Sequence, residues 1–343
     1  MSKLVTTLLI GGKGERFWPR SRKGRPKQFL PVTSEEPMLI ETLRRMDGLS
    51  DRSIAVVGAD LADEAGIILK EYNRSDDVKL VAEITGRNTA PAIGLAAIEC
   101  EDDDILVILP SDHFVPDADD FQKVIRTAAN IAAVKSGIVC IGMKPTRPET
   151  GYGYIRPGDE IEGGFCIASF AEKPPVQRAQ RLMEEGALWN GGIFVVRAGV
   201  YMELVQSHLP DLYDVLVKIK ETGDASLFEE APKISVDYGI LEKCKESFVV
   251  QGNFHWDDVG DWGSMARVYD QDSEGNAVRG DFINIDSKNV IVDTDHGVVA
   301  VVGVEDIAIV RHKDAILIVK RGEEQKVRDV LVQLKQKDLE KYC

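Results

Sequence analysis

Apolar runs alternate with helix-like stretches through the first 150 residues. The runs KLVTTLLI (3–10), SIAVVG (53–58), ILVILP (105–110) and GIVCIGM (137–143) are continuously apolar, which is typical of strands buried in a parallel sheet. Stretches with helical spacing lie between them, and several begin with Pro or Asp, as helix starts prefer. This βαβα rhythm predicts an α/β fold with a doubly wound, mostly parallel sheet.

Shorter strands follow after about residue 150. YGYI (152–155), FCIASFAEK (165–173), GGIFVVRA (191–198) and SFVVQG (247–252) predict an extension of the same sheet, which carries a second half of a pocket. Helical pieces intervene, including a stretch from Gly199 to Lys220.

The texture changes again after about residue 270, where short apolar runs recur every eight or nine residues. Such spacing indicates stacked strands, in either a coiled β-helix or a meander. An amphipathic stripe predicts a last helix: Val327, Val330, Leu331 and Leu334. We therefore expect a large domain over residues 1–268 and a β-helix-like domain over 269–343 that serves packing or oligomer formation.

Composition narrows the class of protein. The chain has 343 residues, a net charge of −15 and five scattered cysteines, with no CxxC pair. These features argue against a nucleic-acid partner, a disulfide framework and a zinc site. No apolar run approaches the ~20 residues that span a bilayer, and the N-terminus lacks the pattern of a signal peptide. We expect a cytoplasmic protein without a membrane partner.

One basic cluster stands out against this acidity. Seven Lys and Arg lie within Gly11–Leu30, directly after the first apolar run. The glycines there fit neither the dinucleotide fingerprint nor the P-loop, because GKGERF lacks a third glycine and no GK[ST] run occurs. What remains is a turn of backbone N–H groups followed by guanidiniums, which predicts an anion site for phosphate; a tight turn with a solvated basic loop is the alternative.

GGKGERFWPRSR and PKQF resemble the signature of mannose-1-phosphate guanylyltransferases, in the sugar nucleotidyltransferase superfamily. Further motifs follow in the family's order, so that the resemblance covers essentially the whole chain: GRNTAPAI, LPSDH, PTRPETGYGYI, FAEKP, WNGGIF, SVDYGILEK and WDDVGDW. It implies a Rossmann-like nucleotidyltransferase domain that converts GTP and mannose 1-phosphate into GDP-mannose and pyrophosphate.

The resemblance implies roles for the basic loop. Gly11, Gly12 and Gly14 would wrap the GTP phosphates, Arg16 would neutralise charge developing at the β- and γ-phosphates, and Lys27 would reach the phosphate region. The sugar phosphate is already deprotonated at neutral pH, so positioning and electrostatics carry the reaction and no general base is needed. The predicted catalytic residues are Arg16, Lys27 and Asp112.

The family pattern also implies Mg²⁺ as the cofactor, held by Asp112 of LPSDH and Asp258 of WDDVG. Mg²⁺ needs only one or two carboxylates beside phosphate oxygens and water. Asp112 could instead cap a helix. The assignment of Asp258 is complicated by Asp257 and Asp261, which crowd the same turn.

For the sugar phosphate, the resemblance implies Gly153, Glu172, Lys173 and Asn190. Gly153 would let backbone approach the hexose, Glu172 and Asn190 would bind hydroxyls, and Lys173 would hold the phosphate. The guanine base would lie against Asn88 and Thr89. Asp237 could line the pocket, without an assigned role.

Two other functions remain open. The same chemistry could use glucose 1-phosphate or another nucleotide, since one stereocentre separates the two hexoses. A non-catalytic sensor of sugar nucleotides belongs to another class, although it would have no need of Arg16, Lys27, Asp112 and Asp258. If the protein is an enzyme, with either set of substrates, we expect a homodimer formed through the C-terminal layer.

Overall fold

The computed structural model describes residues 2–343. Its chain divides into two compact units. The first unit contains the segment ending at Gly11, together with Thr42–Ser111 and Val115–His255; the second contains Gly12–Glu41, Asp112–Phe114 and Trp256–Cys343. The domain boundary expected after residue 268 stays a prediction.

The strands of the first unit form one sheet with the order β3-β2-β1-β4-β8-β5-β9-β7-β6 over the described residues. Their bounds are β1 Leu4–Ile10, β2 Arg52–Gly58, β3 Val78–Glu83, β4 Ile105–Pro110, β5 Ile138–Met143, β6 Tyr154–Ile161, β7 Gly164–Ala171, β8 Leu188–Arg197 and β9 Ser247–Gly252.

Most strands of this sheet run in one direction. β1, β2, β3 and β4 pair in parallel, and β5 pairs in parallel with β9. β8 lies antiparallel between β4 and β5, while β7 is antiparallel to β6 and β9. The predicted doubly wound α/β class is confirmed, and the later strands extend the same sheet as expected.

The helices lie in the stretches with helical spacing that separate the strands. Their bounds are α1 Met38–Arg45, α2 Ala62–Glu71, α3 Thr89–Ile98, α4 Ala118–Val134, α5 Val176–Glu184, α6 Ala198–His208, α7 Pro210–Thr222, α8 Met265–Val268 and α9 Val327–Gln336. The stretch from Gly199 to Lys220 forms two helices, because Pro210 cannot continue α6 and instead begins α7.

The second unit contains a sheet with the order β10-β11-β12-β13. The bounds are β10 Ala277–Ile285, β11 Ile291–Val302, β12 Ile307–His312 and β13 Ala315–Lys320. Successive strands β10, β11 and β12 pair in parallel through short connections, which is the pattern of a coiled β-helix, and only β12 and β13 pair antiparallel. Of the two expected forms, the coiled one is therefore found.

Each unit has its own apolar core. In the second unit, Phe17, Trp18 and Leu30 from the basic loop pack in one cluster with Trp262 and Ile291 from the C-terminal segment. The N-terminal loop is thus stabilised by residues more than 200 positions away in the chain. Among residues 2–343, no helix combines the length and apolar character that crossing a membrane requires.

Candidate active site

The loop after β1 turns through two glycines with positive φ, +88° at Gly12 and +60° at Gly14. A Cβ at Gly14 would lie 2.7 Å from the backbone N of Lys27, so only glycine fits there. Gln28 holds the loop from the other side, since its Nε2 donates to the Gly12 carbonyl at 3.2 Å. Gly11 and Gly12 are exposed, which leaves this stretch of backbone accessible to a ligand.

Lys27 is buried and its ammonium has three acceptors. Nζ lies 2.9 Å from Asp112 Oδ2, 3.1 Å from the Asp258 carbonyl and 2.7 Å from the Val259 carbonyl. An ammonium carries three donors, so these contacts use its full capacity. Lys27 therefore joins the two segments that carry the predicted metal carboxylates.

Asp112 does not cap a helix, because the next helix, α4, begins only at Ala118 after the N-cap residue Asp117. Burial acts to raise the pKa of Asp112, but the charges of Lys27 and His113 and the Lys27 hydrogen bond hold this pKa below its ordinary value. Asp112 is consequently an ionised carboxylate, as a ligand for a hard cation must be.

The three aspartates of WDDVGDW have different surroundings. Asp257 is buried and its Oδ2 and Oδ1 lie 2.5 and 3.2 Å from Nε and Nη2 of Arg267. Asp261 caps the short helical turn Trp262–Ser264 through the Gly263 N–H. Burial raises the pKa of Asp261, Arg16 opposes the rise, and the Asp258 charge adds to it.

Arg16 and Asp258 therefore lie within electrostatic range of one carboxyl group, that of Asp261. The second unit contains both of them together with Lys27 and Asp112, so the side chains predicted to bind phosphate and metal lie in one unit. Among residues 2–343, no group of three or more His, Cys, Asp or Glu side chains is arranged to hold a metal ion. The two carboxylates fit Mg²⁺ in their donor chemistry, since Mg²⁺ takes few protein ligands and completes its shell with phosphate and water.

Part of the basic cluster is structural. Arg20 Nε and Nη2 both lie 2.5 Å from Asp293 Oδ1 of β11, and both side chains are buried. Arg22 pairs with Asp314 at 2.9 Å and donates to the Tyr342 carbonyl at 2.8 Å. These arginines bind the C-terminal segment, which the sequence alone did not indicate.

The predicted sugar-phosphate residues come together in the first unit. A Cβ on Gly153 would lie 2.7 Å from Glu172 Oε2 and 2.9 Å from Phe170, so this glycine makes room for the carboxylate of Glu172. Glu172 Oε1 in turn lies 2.6 Å from Lys173 Nζ. The Gly153 carbonyl accepts the Asn190 N–H at 2.8 Å, which places Asn190 in the same cluster.

Asp237 completes this cluster, although the sequence assigned it no role. Asn190 Nδ2 donates to Asp237 Oδ1 at 2.8 Å, and Asn190 Oδ1 accepts the Gly192 N–H at 3.2 Å. Burial, with the nearby Glu172 charge, raises the pKa of Asp237 to about 6. Asp237 begins a π-helical turn, a feature found frequently at functional sites.

The predicted base residues lie at the start of α3. Asn88 has φ +73° and its side chain accepts the Thr89 N–H at 2.8 Å. Thr89 Oγ1 accepts the Val236 N–H at 2.9 Å, one residue before Asp237. Hydrogen bonds thus connect the residues predicted to bind the base with the segment that leads to Asp237.

Glu83, at the carboxyl end of β3, was missed by sequence reasoning. Its Oε1 is buried, and within residues 2–343 it has no hydrogen-bond partner. Burial raises the pKa of Glu83 to about 7, while the Arg87 backbone N–H opposes the rise. The only signal for it in the sequence was its place five residues before Asn88, in an element that the apolar pattern did not reveal.

The chain matches two known families in succession. Residues 5–275 match the family described as nucleotidyl transferase, and residues 280–334 match the MannoseP isomerase/GMP-like beta-helix domain. The chain therefore belongs to the nucleotidyl transferase family and is an enzyme of this class.

Its relatives confirm the resemblance to mannose-1-phosphate guanylyltransferases. The chain is 36% identical to the Escherichia coli protein of that name, over 97% of this chain and 74% of the relative. It is 37% identical to the xanthan biosynthesis protein XanB of Xanthomonas campestris pv. campestris, over 98% and 74%. A crystal structure described as mannose-1-phosphate geranyltransferase from Thermus thermophilus matches with a TM-score of 0.90 and 34% identity, over 98% of this chain and 100% of that one.

Proposed function

We propose that this enzyme transfers the GMP group of GTP to mannose 1-phosphate, giving GDP-mannose and pyrophosphate. A phosphate oxygen of the sugar attacks the α-phosphorus of GTP. The bond from the α-phosphorus to the bridging oxygen then breaks, and pyrophosphate leaves with the electron pair. The observation that carries this proposal is the ion pair of Lys27 with Asp112, beside the glycine loop and Arg16.

In this proposal the exposed backbone of Gly11 and Gly12, with the turn at Gly14, receives the triphosphate. Arg16 stabilises the charge that develops on the leaving pyrophosphate. Lys27 adds positive charge to the phosphate region while its hydrogen bonds hold Asp112 and the turn at Asp258. Asp112 and Asp258 would hold Mg²⁺, which when bound supplies neutralising charge to the phosphates.

Glu172, Lys173 and Asn190 receive mannose 1-phosphate beside Gly153. Lys173 is more than half exposed, so its ammonium is available to the sugar phosphate, whereas Glu172 is nearly buried and can accept from hydroxyls. Asp237 adds a second acceptor near the same amide. Such buried acceptors discriminate strongly between substrates, because a wrong partner leaves them unpaired.

We assign recognition of guanine to Glu83 together with Asn88 and Thr89. The edge of guanine presents N1–H and N2–H donors, which a carboxylate can accept and which adenine lacks. Glu83→Gln is therefore expected to lower kcat/KM for GTP by roughly ten- to hundred-fold, the scale of one lost base-specific contact, without a matching loss for ATP. Steady-state kinetics with both nucleotides checks this, and an equal loss for GTP and ATP contradicts the assignment.

We further propose a homodimer formed by the C-terminal layer of a cytoplasmic enzyme. One face of β10 and β11 exposes apolar side chains, including Ile285 and its cross-strand partner Val302, which are 52% and 61% exposed. Clustered exposure of this kind is typical of an interaction surface. Among the described residues all five cysteines are free thiols, which suits a reducing compartment.

The experiment that tests the function is a pyrophosphate-release assay with Mg²⁺. It crosses GTP, ATP, UTP and dTTP with mannose 1-phosphate and glucose 1-phosphate. Turnover confined to GTP and mannose 1-phosphate supports the proposal. Turnover with another pair overturns the substrate assignment, and a folded protein that binds GDP-mannose without any turnover is a sensor.

A further inference from the structure

The turn that carries Asp258 has an unusual backbone. Val259, the next residue, has φ +50°, in the left-handed region, and its side chain is fully buried. A β-branched residue is strongly disfavoured there, so the surrounding structure must impose this conformation.

Both backbone polar groups of Val259 are hydrogen-bonded. Its N–H donates to Asp257 Oδ1 at 2.9 Å, and its carbonyl accepts from Lys27 Nζ at 2.7 Å. Its side chain packs in the apolar core with Phe17 and Trp262. The turn is therefore determined by an acceptor, a donor and a buried side chain acting together.

Asp257 is the centre of this arrangement. Its carboxylate accepts from Arg267 through two guanidinium nitrogens, and its backbone forms a two-bond bridge with Phe114, at 2.9 and 3.1 Å. Phe114 lies two residues after Asp112, and Asp258 follows Asp257 directly. One buried residue is thus bonded to both segments that carry the proposed metal carboxylates.

We propose that Asp257, oriented by Arg267, is a positioning residue that sets the affinity for the divalent cation by fixing the turn at Asp258. Its carboxylate is already engaged by Arg267 and the Val259 N–H, so it acts through its neighbours and is not itself a ligand. This inference rests on the proposed function, in which Asp112 and Asp258 hold Mg²⁺.

The test is Asp257→Asn, which keeps the shape of the side chain and an oxygen for the Val259 N–H but removes the charge that holds Arg267. We expect the Mg²⁺ concentration for half-maximal activity to rise by roughly 10- to 100-fold, as for other partners behind metal ligands. The fold-decrease in kcat at saturating Mg²⁺ should be smaller than the fold-increase in this Mg²⁺ concentration. A Mn²⁺ titration of the nucleotide-free protein, followed by electron paramagnetic resonance, should show the same weakening without reference to turnover.

Asp314→Asn is the matched control, because it removes the partner of Arg22 in an exposed ion pair of the same unit. Arg267→Lys tests the same inference from the other partner if Asp257→Asn fails to fold, since it keeps a positive charge beside the buried Asp257 but loses the contact through two nitrogens. A lower melting temperature with both metal constants unchanged would overturn the inference and leave Asp257 a structural residue. So would a wild-type protein that binds no Mn²⁺. Absence of GDP-mannose synthesis by a wild type that still binds Mn²⁺ would count against the proposed function alone.

Discussion

At the scale of single residues, burial separates the two cations of the proposed phosphate site. Lys27 is 5% exposed with three protein acceptors, whereas Arg16 is half-buried at the rim of its loop. Removing a partner from a buried ion pair leaves the other charge uncompensated, which is strongly destabilising. The two substitutions should therefore differ in stability although both remove a charge from the same loop.

Arg16→Ala should lower kcat by roughly 10²–10³-fold, the loss of ~3–4 kcal/mol that follows removal of one preorganised donor. Its free energy of unfolding should stay close to wild type. Lys27→Ala should lose turnover and also about 1–3 kcal/mol of stability, because Asp112 and the Asp258 and Val259 carbonyls lose their charged donor. Pyrophosphate-release kinetics and denaturant unfolding measure both effects. Equal stability of the two variants would show that the Lys27 contacts contribute little.

Asp237 predicts a dependence of stability on pH. Its pKa is raised from 3.8 to about 6, so between these values the native state binds the proton more tightly than the unfolded chain. Stability contributed by this group is therefore lost as pH rises through that window. Asp237→Asn keeps an acceptor for Asn190. Between pH 4 and pH 7.5, its free energy of unfolding should rise relative to that of wild type by up to roughly 3 kcal/mol.

Thermal unfolding of the substrate-free protein across this pH range measures the difference. The control is Asp159→Asn, at an exposed position of the same unit. If the stability difference between Asp237→Asn and wild type stays constant with pH, the pKa of Asp237 is not raised in the folded protein.

At the scale of elements, the loop after β1 and strand β11 depend on each other. Arg20 and Asp293 form a buried ion pair, and Tyr269 OH donates to Asp293 Oδ2 at 2.8 Å. The loop between Gly12 and Pro37 has little regular structure of its own, so its conformation relies on such contacts. The C-terminal segment therefore has a structural role within the second unit besides any role in assembly.

Asp293→Asn should lower the free energy of unfolding by about 3–5 kcal/mol, since it leaves the buried Arg20 guanidinium without a compensating charge. Amide hydrogens between residues 12 and 37 should exchange faster in this variant. Asp314→Asn, which breaks the exposed pair with Arg22, should reduce stability far less than Asp293→Asn does. Unchanged exchange in the loop would show that other contacts suffice to hold it.

At the scale of the whole molecule, the question is assembly. Deleting the residues after about 270 would be a poor test, because Ile291 and Leu317 belong to the core that holds Phe17 and Trp18. A single charge on the exposed face of β10 and β11 leaves this core intact. It is therefore the better probe of the proposed dimer.

Ile285→Glu should reduce the particle mass from twice the chain mass to 37.9 kDa, because it places a charge opposite Val302 within the apolar face. Light scattering measures this mass. Val134→Glu is the control, as Val134 is 77% exposed in the other unit. A wild-type monomer, or an Ile285→Glu variant that remains a dimer, would rule out this face.

The sequence by itself determined most element types and the places where glycine and carboxylate residues follow a strand. Periodicity located β1, β2, β4 and β5 to within one residue, because a strand buried on both faces must be continuously apolar. It missed β3, in which Lys79 interrupts the apolar run and only the first residue is buried. The motifs likewise located the glycine loop and the carboxylates, since their order along the chain is a property of the sequence.

Only the tertiary structure decided which neighbours those residues have. Lys27 and Val259 are 232 positions apart, and Asn190 and Asp237 are 47 apart. No local pattern encodes contacts over such separations, so beyond the family resemblance, which singled out Asp258, the sequence could not show which partners Asp257 and Asp261 have. The structure separates them because burial requires each polar group to have a partner, and the available partners differ at each position.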